Sequence, residues 1–178
     1  MIINANLANI VIPASTVVTS SDITWNGIMF APKVTTVSLP ETSGQSKVLS
    51  SAMELGFAGA HLSFDQGVRI LMPGQAGKRV GYMVASETFT EITNTCLSDD
   101  QAVGNALASN SECKIDVGQN LVIWTKHFTT FATYTQTVTA VISTGGGGGG
   151  YIPTSCSEVR YGDWGTVFNG IQYRKILS

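Results

Sequence analysis

The chain has 178 residues and a formal net charge of −2, with 10 Lys and Arg against 12 Asp and Glu, so it carries no basic footprint for nucleic acid. Apolar residues make up 43% and charged residues 12%, which excludes a disordered chain and leaves enough apolar surface for a core. No apolar run approaches the length of a membrane-spanning helix, and residues 1–6 lack the basic start and long apolar stretch of a signal peptide.

Threonine, serine, glycine and valine take the place of charge, a mix that suits strands and turns. Short apolar runs at 8–12, 16–19 and 34–39 are broken by Pro13, Pro32 and Pro40, which favour edges and loops over central strands. Residues 41–44 predict a turn, and 48–57 a strand in which Met53, Leu55 and Phe57 alternate with Ala52, Glu54 and Gly56. Residues 61–64 and 68–71 predict a hairpin around Asp65-Gln66-Gly67. A turn at 73–77 leads to strands at 78–84 and 89–92.

Cys96 and Cys113 flank a polar stretch of sixteen residues. They read as a disulfide that closes a short loop, or as two buried free thiols. Inside the stretch, residues 99–107 predict two helical turns with Ser98 as N-cap and Asp99 and Asp100 at the helix start. Arg69, Lys78 and Arg79 read as a solvated face. A turn at 116–120 precedes a strand at 121–124, and the last strand of the body spans about 128–142. Six glycines, Gly145–Gly150, mark a flexible linker. The expected organisation is a domain over 1–144, the linker over 145–150, and a truncated small repeat or flexible tail over 151–178. The fold class is all-β: an antiparallel β-sandwich with one short helical, disulfide-closed insertion.

The stretch with chemical content is His127-Phe128-Thr129. Thr129 Oγ can attack the carbonyl carbon of Phe128 through a five-membered ring, an N→O acyl shift. A hydroxyl is a poor nucleophile and needs a base. Histidine is the commonest general base, and one stands two residues upstream. Hydrolysis of the resulting ester would leave Thr129 as a new amino terminus. The same residues also suit an inert strand, with Phe128 facing the core and His127 at an edge. A second tripeptide, His61-Leu62-Ser63, offers the same chemistry on paper and reads as a half-buried strand. No carboxylate pair, calcium loop or zinc spacing is present, so no cofactor or metal is expected.

His127-Phe128-Thr129-Thr130-Phe131-Ala132 resembles the proteolysis site of the GAIN domains of adhesion receptors, and the His-Phe-Ser site of ZU-type β-sandwich domains. In those families the chain is cut between the second and third residues and the pieces stay together, which implies His127 as base, Phe128 as scissile carbonyl and Thr129 as nucleophile. GAIN domains also carry paired cysteines and tryptophans just before the site, where this chain has Trp124 alone. The stretch 68–74 and the Cys96…Cys113 spacing resemble domains of large bacterial surface proteins, especially from candidate phyla. Residues 156–165 and 170–174 resemble the start of a thrombospondin-type repeat, with Trp164 on Arg174 as a cation–π layer. These resemblances imply a secreted or cell-surface fragment of a larger exported protein, whose partners are other domains of that parent and an extracellular ligand. The chain then either cuts itself or serves as a non-catalytic structural or adhesion spacer. Trp25, Trp124 and Trp164 leave a lectin-like sandwich as a third reading.

Overall fold

The computed structural model describes residues 1–5, 7–57, 61–84, 88–139, 160–164 and 174–177, the last two segments and residues 2, 4 and 5 as backbone. The chain forms two compact units, Met1–Val141 and Ile142–Ser178.

The first unit contains β1 (Ile2–Ala5), β2 (Ala8–Val11), β3 (Val18–Ser20), β4 (Phe30–Val34), β5 (Gln45–Gly56), β6 (Leu62–Met72), β7 (Arg79–Met83), β8 (Thr90–Glu91), α1 (Gln101–Ala106), β9 (Glu112–Val117), β10 (Asn120–Phe128) and β11 (Thr130–Val138). One sheet runs β1-β2-β6-β10-β9, with β3 also paired to β6, and the other runs β4-β5-β11-β7-β8. The strands of both sheets pair antiparallel. The main core draws on both. Ile10, Val68, Ile70, Met72, Leu121 and Ile123 of the first sheet form one cluster with Met53, Leu55, Val80 and Phe131 of the second. Each such side chain contributes roughly 1.5–3 kcal/mol by leaving water. The all-β sandwich expected from composition is the fold observed.

The alternate residues of β10, Val122 and Trp124, enter a separate cluster with Cys96, Cys113, Val103 and Leu107. Here Cys96 and Cys113 are joined in a disulfide with their Cα atoms 5.1 Å apart. α1 crosses this face, and its Gly104 lies against the Trp124 ring so closely that a Cβ there would stand 2.2 Å from Cε3.

Several expectations are corrected. Residues 61–71 are not a hairpin: β6 passes straight through Asp65-Gln66-Gly67. Those turn-forming residues spend their hydrogen bonds on other elements. Asp65 Oδ1 accepts from Val17 N at 2.8 Å, and Gly67 N donates to Asn105 Oδ1 at 2.9 Å. The helix cap is Asp100, whose side chain accepts from Val103 N, and Ser98 instead donates to the Asp100 carboxylate. Arg69 is not solvated alone; it makes a bidentate pair with Asp99 at 2.7 and 2.6 Å. Arg79 pairs with Glu91 in the same way. Of the apolar run at 34–39, only Val34 is in a strand, as the last residue of β4 at the sheet edge. Pro32 of that strand sits at a register irregularity on the sheet edge, where no ladder hydrogen bond is lost. The strand expected over 128–142 begins at Thr130, after a break at Thr129.

In the second unit β12 (Arg160–Trp164) and β13 (Arg174–Leu177) pair antiparallel, with Trp164 opposite Arg174. The six-glycine linker, Cys156 and the proposed stacking of the Trp164 and Arg174 side chains lie outside the described residues.

Candidate functional site

β10 belongs to the six-stranded sheet and β11 to the five-stranded sheet, and Thr129 is the residue between them. The chain therefore changes sheets at the bond expected to be scissile. Thr129 O already accepts from Leu55 N of the second sheet at 3.1 Å. Phe128 is still opposite Leu62 in the first. The Phe128 side chain is buried, edge-on to Phe64 with centroids 4.6 Å apart. Gly56 makes room for it: a Cβ there would stand 3.2 Å from Phe128 Cβ, and its φ of +96° suits glycine alone.

Just upstream, the β10–β6 register shifts between Thr125 and His127. Thr125, fully buried, stabilises the irregularity with its hydroxyl, which accepts from His127 N and donates to His127 O, both at 3.1 Å. The shift turns a polar ring into a closed space. His127 is 1% exposed. Its ring stacks on His61 at 5.3 Å and Phe131 at 5.8 Å, and meets Tyr82 edge-on at 4.8 Å. His127 Nε2 lies 3.0 Å from Glu112 Oε2. His127 Nδ1 is buried with no hydrogen-bond partner among the described residues. Burial, and then the Glu112 charge, push the Tyr82 phenol above its ordinary range, so it stays neutral.

The three residues expected to carry the chemistry thus sit at one corner. His127 and Thr129 are nevertheless not hydrogen-bonded to each other. Thr129 is nearly buried, and its hydroxyl donates to the Met83 carbonyl. His61-Leu62-Ser63 lies alongside, with Ser63 opposite His127 and Leu62 opposite Phe128. Ser63 Oγ is 3.3 Å from His61 Nδ1 and donates to Asn110 Oδ1 at 3.1 Å.

Sequence reading missed Glu112 and Tyr82. Glu112 was within reach of it. Extending the hairpin register from the turn at 116–120, with Asn120 opposite Val117, places Glu112 opposite Thr125, two residues from His127. Tyr82 comes from the other sheet and had no local signal.

Away from the corner, Asp99 accepts from both Arg69 and Trp124 Nε1, the latter at 3.0 Å. The Arg69 hydrogen bond holds its carboxyl below the ordinary range against the opposing effect of burial. This cluster anchors α1 to the sheet. Among the described residues no group of three His, Cys, Asp or Glu side chains is arranged to hold a metal, and no helix is long and apolar enough to cross a membrane. No family model, curated protein or solved structure matches the chain.

Proposed function

We propose that the chain is a self-processing module of a secreted or cell-surface protein, which cuts its own Phe128–Thr129 bond. The observation that carries this reading is a buried imidazole whose Nδ1 has no partner among the described residues, two residues before a threonine at the passage between sheets. A buried polar atom without a partner costs about 1–3 kcal/mol and calls for an explanation. A base awaiting a proton supplies one.

In the reaction the Thr129 hydroxyl leaves the Met83 carbonyl and gives its proton to His127 Nδ1. Thr129 Oγ bonds to the Phe128 carbonyl carbon. As the ring intermediate collapses, the carbon–nitrogen bond breaks and the Thr129 nitrogen takes up the proton from His127. Water then hydrolyses the ester, leaving a carboxylate on Phe128 and an amine on Thr129. The two pieces stay together, because β11 is hydrogen-bonded between β5 and β7 and β10 between β6 and β9. The disulfide favours an oxidising compartment, and hence export and partners among other domains of a parent surface protein.

The test is the intact mass of the freshly purified chain, denatured and reduced. Fragments of 128 and 50 residues (the 178-residue chain divided after Phe128) support self-cleavage, and Thr129→Ala then yields one uncut species. A full-length wild-type species, stable for days, overturns it. That outcome favours a non-catalytic spacer, a reading supported by the Thr129 hydroxyl resting on Met83.

A further inference from the structure

We infer that Glu112 is the positioning residue for His127: its carboxylate fixes the imidazole with hydrogen on Nε2, leaving the Nδ1 lone pair open to the Thr129 proton. This role in cutting rests on the function proposed above.

The surroundings of His127 hold the plane of the ring but not the identity of its edges. His61 and Phe131 stack on the ring, and Tyr82 closes it from the other sheet. Ring contacts of this kind are satisfied equally by a ring turned half a revolution, which would exchange Nδ1 with carbon Cδ2 and Nε2 with carbon Cε1. A hydrogen bond tells the two apart, and Glu112 supplies it at 3.0 Å. A carboxylate only accepts, so the proton of the neutral ring belongs on Nε2. Nδ1 is then the basic nitrogen, and among the described residues it is the one without a partner.

Glu112 has a second task once the proton moves. The imidazolium formed would be a charge in a site 1% exposed to solvent, and such a charge needs a counter-ion. Among the described residues, the ionisable groups facing His127 are Glu112 from β9, Tyr82 from β7, and His61 just before β6. Glu112 is the carboxylate among them. The neighbouring Lys126 points its ammonium elsewhere, to Asn105 O at 2.9 Å. Glu112 is itself well placed to hold still, being next to the disulfide-bonded Cys113 and in register with Thr125.

The experiment has two arms, both on the full chain. In the first, wild type and Glu112→Gln are made by cell-free translation in an oxidising buffer, and the cut fraction is followed by intact mass. The amide keeps the size of the side chain and loses its charge. Cutting slows by about 100-fold if Glu112 acts as inferred, and an unchanged rate overturns the inference. In the second, long-range proton–nitrogen NMR reads the tautomer of His127 in the uncut Thr129→Ala chain. The chain has two histidines, and His61→Gln separates their signals. A single Nε2–H form is expected, becoming a mixture when Glu112→Leu is added. Hydrogen on Nδ1 in Thr129→Ala, a reading that needs no change at Glu112, overturns the inference. If the wild type never cuts while the tautomer behaves as expected, self-cleavage falls and the anchoring of His127 by Glu112 stands.

Discussion

His127 stands opposite Ser63 in the ladder between β10 and β6, and its ring stacks on the ring of His61, so the two tripeptides that place a hydroxyl two residues after a histidine form one cluster. Their backbones differ in a way that decides between them. Leu62 and Ser63 lie inside β6, which continues as one strand to Met72. Phe128 and Thr129 lie where the chain leaves one sheet for the other. The Ser63 hydroxyl is engaged by Asn110, and its bond to Leu62 sits within the ladder.

Cutting is therefore expected at Phe128–Thr129 alone. Ser63→Ala should leave the 128- and 50-residue pieces unchanged, and no piece ending at Leu62 should form. Thr129→Ser should still cut, because serine keeps the hydroxyl that attacks. The measurement is intact mass of the denatured, reduced chains. A fragment boundary at Ser63 would show that the sheet crossing is not what selects the bond.

Two glycines, rather than a side chain, set how close α1 comes to the sheet. A Cβ on Gly67 would stand 2.3 Å from the Gly104 carbonyl carbon, and one on Gly104 2.2 Å from the Trp124 ring. Neither the Gly104 backbone nor the buried indole can yield cheaply. Gly67→Ala and Gly104→Ala should each destabilise the domain by about 1–3 kcal/mol. Urea unfolding followed by tryptophan fluorescence measures the loss. Variants as stable as wild type would mean that α1 can lift from the sheet at no cost.

Much of the scaffold was legible in the sequence, because its determinants are local. The alternation of Met53 and Leu55 marked β5, and Gly74, Gly77 and Gly118 marked turns where each has positive φ. The strand through Asp65-Gln66-Gly67 was not legible, since those residues bond to Val17 and Asn105, which lie 48 and 38 residues from their partners. Arg69 and Asp99 are thirty residues apart, and no local pattern pairs them. The candidate site divides along the same line. His127, Phe128 and Thr129 are contiguous and could be read together. The packing of His61 and Tyr82 against His127 requires the β6–β10 ladder and the closure of one sheet on the other.

The Arg69–Asp99–Trp124 cluster predicts a pH dependence. The Asp99 carboxyl is held below its ordinary range, first by the Arg69 hydrogen bond. The folded chain therefore binds this proton less readily than the unfolded chain. Its contribution is complete above the ordinary carboxylate value, about pH 4, and is lost as pH falls through the lowered one. Asp99→Asn should cost about 1–3 kcal/mol near neutrality, where it removes a charged acceptor from Arg69 and Trp124. The gap to wild type should narrow in acid. Urea unfolding of both chains at about pH 7 and about pH 2.5 tests this. A gap of constant size would assign the loss to packing instead of charge.

The disulfide should matter most at β9, the strand that carries Glu112. β9 is an edge strand, paired along its length to β10 on one side. On its other side it has a short contact, in which Cys96 N donates to Lys114 O and Lys114 N donates to Asn94 O, both at 2.9 Å. The Cys96–Cys113 bond, across a sequence separation of 17, ties that contact down. Replacing both cysteines with serine should lower stability by about 3 kcal/mol if the restriction of the unfolded chain dominates. Hydrogen exchange in the double variant should quicken at β9 before it does at β10 and β11, which have strand partners on both sides. If β9 exchanges no faster, its ladder with β10 is enough to hold Glu112 against His127, and the disulfide contributes to global stability alone.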